Sequence, residues 1–160
     1  MKYRRLSLAE LKQLEPEFIK FLAANTITGA DWEKLKEAEP ARAEGLIELF
    51  SDLVMEKTLE NVSFLEFRTA KEVRCFFCGP AKIVLCGLST PRIEGFSFED
   101  LSGNNSLQDL LSSGQVQLET YRTEKGYQKE RNLEIFSMLQ SGCMISDGQL
   151  FKTLETMNQA

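Results

Sequence analysis

The chain divides by the period of its apolar residues. Up to about residue 60 the period is helical; from Val62 it becomes mixed. The longest helical stretch is Pro40 to Glu60, where Leu46, Leu49, Phe50, Leu53 and Val54 recur at i, i+3, i+4, i+7 and i+8. Pro40 suits the first helical position, where its missing N–H has no partner to lose. The opposite face carries Glu44, Glu48 and Asp52, four residues apart, with no Lys or Arg three or four positions away. Like charges at that spacing cost about 0.2–0.5 kcal/mol per pair. The ridge is therefore solvated, matched by basic residues from elsewhere in the chain, or used to dock a partner with a basic surface.

Earlier, Ser7-Leu8-Ala9-Glu10 is a capping box with a staple from Leu6 to Leu11. Leu11, Leu14, Phe18 and Phe21 continue one stripe through Pro16, which predicts a kink rather than a restart there. Thr28 caps a second helix beginning at Asp31-Trp32 and ending before Pro40.

After Val62 the alternation reads as strands. Val62, Phe64 and Glu66 form one, and Val73–Phe77 and Lys82–Cys86 form a hairpin around Cys78-Gly79-Pro80-Ala81. Residues 87–115 are rich in turn formers, with a short helix predicted over Leu107–Leu111. Val116, Leu118 and Thr120 predict a fourth strand. Tyr127 to Leu139 returns to helical spacing with Leu133, Phe136 and Leu139 on one side. Ser146-Asp147-Gly148-Gln149 reads as a capping box opening a last helix to about Met157. These elements predict an α+β fold. An N-terminal helical layer packs on a small, mainly antiparallel sheet, with C-terminal helices, in a single domain over residues 1–160.

Composition narrows the chemistry. The 160 residues contain no His, which removes His-based nucleophile systems, His general bases and His metal ligands together. A net charge of −5 argues against a protein built to grip a phosphate backbone. No apolar run reaches the roughly 18 residues of a membrane span. The N-terminus lacks the apolar core of a signal peptide, so the expected address is cytoplasmic, with four reduced Cys.

Two basic clusters interleave with aromatics: Lys2, Arg4 and Arg5 around Tyr3, and Arg122, Lys125, Lys129 and Arg131 around Tyr121 and Tyr127. Such interleaving can bind single-stranded nucleic acid, but in an acidic chain internal pairing with the ridge is the expected use. Cys75 and Cys78, spaced as in a zinc knuckle, are the candidate metal or redox pair; Cys86 and Cys143 are the remaining thiols. Phe76 and Phe77 between them also fit a buried strand, where Cys acts as a small apolar residue.

The opening MKYRRL, Asn25-Thr26-Ile27-Thr28 leading into Asp31-Trp32-Glu33, Phe50-Ser51-Asp52-Leu53-Val54, and Ile145 through Phe151 together resemble a family of short bacterial proteins classed only as a domain of unknown function. The resemblance spans the whole chain and implies a bacterial cytosolic protein. It implies no activity, cofactor or catalytic residue. The expected function is a non-enzymatic interaction module that presents Glu44, Glu48 and Asp52 to a basic protein partner. The alternative is a thiolate-ligated zinc or redox protein built on Cys75 and Cys78.

Overall fold

A computed structural model describes residues 1–91, 97–100, 109 and 117–159. The architecture is α+β, as the periodicity predicts. Two compact units follow one another along the chain, Met1–Glu60 and Asn61–Ala160.

The first unit is helical: α1 (Leu8–Gln13), α2 (Glu15–Ala24), α3 (Gly29–Ala38) and α4 (Pro40–Glu60). Its starts follow the local signals. The Ser7 hydroxyl accepts from Glu10 N–H while the Glu10 carboxylate accepts from Ser7 N–H, and Thr28 and Asp31 repeat the arrangement. Both satisfy backbone donors that a helix leaves without partners. The expected kink at Pro16 is a break instead. α1 stops at Gln13, Leu14 leaves helical geometry with ψ 18°, and α2 restarts with Pro16 in its first turn, where a missing N–H is harmless. Phe18, Phe21, Trp32 and Phe50 form the aromatic heart of this unit, with Phe18 5.2 Å edge-on to Trp32 and 5.0 Å from Phe50.

The apolar face expected for α4 also needs correction. The buried and half-buried stripe runs through Ala43, Ile47, Phe50, Ser51 and Val54, whereas Leu49 and Leu53 remain 51% and 46% exposed. The cause is Ser51. Its hydroxyl donates to the Ile47 carbonyl (2.7 Å) and accepts from Leu6 N–H (3.1 Å), so the N-terminal segment is held along that side of the helix. The stripe is thereby rotated away from Leu49 and Leu53.

The second unit is a five-stranded antiparallel sheet with two helices. Its strands are β1 (Phe64–Arg68), β2 (Glu72–Cys78), β3 (Lys82–Ser89), β4 (Glu119–Gly126) and β5 (Met144–Ile145), in the order β4-β3-β2-β1-β5. α5 (Arg131–Gln140) and α6 (Gln149–Gln159) complete it. The β2–β3 hairpin forms at the predicted turn, closed by Gly79 N–H to the Lys82 carbonyl at 3.0 Å. The expected helix over 107–111 lies outside the described residues, apart from Asp109. The fourth strand runs from Glu119 to Gly126, with Leu118 before it and Val116 outside the described residues, and β5 is an addition that periodicity did not signal.

One face of the sheet packs on α6. Val73, Cys75, Val84, Cys86 and Leu88 meet Leu150, Phe151 and Leu154 in a single core cluster. The expected capping box before α6 is replaced by two successive side-chain turns, Ser146 Oγ accepting from Gly148 N–H and Asp147 Oδ1 from Gln149 N–H. Gly148 carries a φ of +80° and lies against the Phe64 ring, so the backbone turns where only glycine fits. In α5 the helix starts four residues later than expected, and its buried side is centred on Asn132, Glu134 and Ile135, with Leu133, Phe136 and Leu139 half-buried.

Candidate functional site

Two surfaces carry chemistry, one in each unit. On α4, Glu44 lies one turn from Glu48 and two from Asp52. The basic N-terminal segment meets this ridge. Arg5 pairs with Glu44. The backbone N–H groups of Lys2 and Tyr3 donate to Asp52 at 2.7 and 3.0 Å. One turn further on, Lys2 Nζ contacts Glu56 at 3.1 Å and the Tyr3 hydroxyl donates to the same carboxylate. Burial and the Glu56 carboxylate push the Tyr3 phenol up to about 12. Glu48, between the two engaged acids, has no hydrogen bond or ion pair among the described residues; its field acts on Arg5. Exposed Leu49 follows it in the chain, and exposed Leu53 lies one turn beyond Leu49. The first basic cluster is thus used internally, Lys2 and Arg5 along the acidic side of α4 and Arg4 on Glu10 of α1 at 2.8 Å.

Arg122, Lys125 and Arg131 of the second basic cluster are also engaged internally, but within their own unit. Arg122 contacts Glu124 (2.9 Å) and Glu155 (3.4 Å). The Arg131 guanidinium donates to the carbonyls of Val62, Cys78 and Gly79 at 2.6–3.2 Å, a planar fork that three converging carbonyls suit.

The second surface is a cleft of about 550 Å³ along α5 and the sheet face opposite α6. Its apolar floor comes from Phe67, Phe76, Leu85 and Met138, and Arg74, Lys125, Lys129 and Glu134 supply its charges. Glu134 is buried, yet it accepts from Lys125 Nζ (3.1 Å) and from the backbone N–H groups of Gln128 (2.8 Å) and Lys129 (3.4 Å). Burial favours its neutral form, but those donors outweigh burial and hold the carboxyl below the usual range. Arg74 contacts Glu72 at 3.2 Å. Lys129 has no ion pair among the described residues. Sequence reasoning missed this cleft. Its charged residues come from β2, β4, α5 and the turn before α5, and only strand register brings them together.

The candidate thiol pair does not converge. Three residues apart on one strand, Cys75 and Cys78 project from opposite faces of the sheet. Cys75 pairs across to Cys86 on the α6 side, while Cys78 feels Cys143 and Arg131 on the α5 side. Cys75 and Cys78 are 2% and 3% exposed. Burial pushes the Cys78 thiol up to about 11 and the Cys75 thiol higher still, away from the thiolate that metal binding and redox exchange need. Among the described residues no three of His, Cys, Asp and Glu group as metal ligands, and no helix is long and apolar enough to cross a membrane.

Fold and surfaces together define an α+β protein with a helical N-terminal unit and a C-terminal antiparallel sheet flanked by two helices. The chain belongs to a family of unknown function (DUF6495), which it matches over residues 1–159. No curated protein and no solved structure matches it.

Proposed function

We propose that this is a non-enzymatic bacterial cytosolic interaction module that docks a protein partner through α4. The observation that carries the reading is the exposure of Leu49 and Leu53, one turn apart on the helix that also carries the unengaged carboxylate of Glu48. Scattered exposed Leu residues are ordinary. Two stacked one turn apart, on a helix that also presents an unengaged carboxylate, match an apolar segment flanked by Lys or Arg. The hold of Arg5 and Lys2 on Glu44 and Glu56 supports a basic partner, because the same ridge already receives basic chain from within the molecule. The four unlinked thiols fit a reducing compartment.

The test is a photo-reactive amino acid in place of Leu53, activated in the native cell. The expected adduct is one protein, cross-linked through a Lys- or Arg-flanked apolar segment, and Glu48→Lys should abolish it. No adduct, an adduct on an acidic segment, or an adduct indifferent to Glu48→Lys would reject the reading.

A further inference from the structure

We propose that the cleft along α5 binds a small organic anion, a single acidic head on an apolar body. The site is independent of α4, and nothing in the reading of α4 requires it.

Charge sets the cleft apart from the rest of the chain. The whole chain carries −5, yet the cleft gathers Arg74, Lys125 and Lys129 against Glu134 alone, three positive groups to one negative. Counting Glu72, the contact of Arg74, still leaves an excess of one cation. Glu134 does not repel an incoming anion strongly, because Lys125 and two backbone N–H groups already neutralise it. Lys129 is left with its charge unmatched among the described residues, and Arg74, half exposed, has a guanidinium with more donors than its contacts with Glu72 and Tyr121 use.

The floor supplies the second half. Phe76 and Leu85 are cross-strand partners, and Phe67 lies opposite Arg74 on the neighbouring strand, so rings and cation share one sheet face. A ligand site of this kind is largely apolar with a few placed polar groups, and about 550 Å³ lies within the usual range of roughly 300–1,000 Å³. A neutral apolar ligand would leave Lys129 without a partner, and an organic cation would meet three cations against one carboxylate. An amphipathic anion satisfies both halves.

The test uses the full chain. Binding of 8-anilinonaphthalene-1-sulfonate is followed by fluorescence and competed with octanoate, octyl phosphate, octanol and octylammonium. Octanoate and octyl phosphate should both displace the dye, and the better of the two identifies the head group; octanol and octylammonium should need at least tenfold more. R74Q combined with K129E should weaken displacement by the anions about tenfold or more. Both side chains are solvent-accessible, and an unchanged amide NMR spectrum away from the cleft checks that the variant folds. Octanoate should shift the amide signals of Phe76, Leu85 and Ser137. No dye binding, octanol competing as well as the anions, an unaffected double variant, or shifts confined to another face would each overturn the proposal.

Discussion

The ring of Tyr121 lies flat over Gly87, its cross-strand partner on β3, and reaches past it so that its hydroxyl donates to Glu72 on β2. One side chain thus spans three strands. A methyl at position 87 would overlap the ring. Gly87→Ala should destabilise the protein by about 1–3 kcal/mol, the usual effect of forcing an extra methyl into a filled site. Tyr121→Phe keeps the packing and loses only the hydrogen bond, about 1 kcal/mol. Urea unfolding should rank Gly87→Ala as the worse of the two; the reverse order would contradict the ring placement.

Glu134 should govern part of the acid sensitivity. Its folded carboxyl titrates below the ordinary value of 4.5. A depressed folded value contributes stability above the unfolded value, and that contribution is lost as pH falls through the folded one. Wild type should therefore lose stability on acidification below about pH 4.5, and Glu134→Gln should lose less over the same range. At neutral pH Glu134→Ala should cost about 1–3 kcal/mol, because it removes the acceptor for Gln128 and Lys129. Chemical denaturation at pH 7 and pH 3.5 compares the two slopes.

All three phenols should ionise late. Burial raises Tyr3, Tyr121 and Tyr127, with Glu56 adding to the first and Glu72 to the second. A phenol raised from 10.0 to about 12 contributes stability that is complete below pH 10 and is lost as pH rises through 12. Absorbance at 295 nm should show no phenolate step at pH 10 in the native protein and three ordinary ones in guanidinium. Tyr3→Phe should remove the latest native step.

Thiol chemistry should separate one cysteine from three. Cys143 is half-buried, whereas Cys75, Cys78 and Cys86 are buried. A disulfide reagent at pH 8 should modify Cys143 first and reach the others only on unfolding. Because Cys75 and Cys78 face opposite sides of the sheet, protein purified without chelator should carry less than a tenth of an equivalent of zinc. Stoichiometric zinc held by Cys75 and Cys78 would require β2 to be bulged or broken between them.

What was legible in the sequence was local. Ser7 with Glu10, Thr28 with Asp31, Pro40, and the Gly79-Pro80 turn each act within a few residues, and each does in the structure what its chemistry predicts. What was not legible depended on distant partners. The buried side of α4 turned because Leu6 reaches Ser51, 45 positions away. The cleft needed Arg74, Lys125 and Glu134 on three elements, and Cys75 was separated from Cys78 by strand parity. The two-residue β5 is too short for any period, and exists because β1 offers it an edge at Leu65 and Glu66. The acidic ridge on α4 was legible, as was its matching by the Lys2–Arg5 cluster, but not that Arg4 would turn to Glu10 or that the backbone N–H groups of Lys2 and Tyr3 would engage Asp52.

The seam between Tyr3 and Asp52 also sets an order of events during synthesis. The two residues are 49 positions apart, so a ribosome adding about 5–20 residues per second needs roughly 2–10 s to make the second after the first. Until Asp52 has been made and has left the ribosome, the stretch holding Lys2, Arg4 and Arg5 is without its seat, positively charged and open to any polyanion nearby.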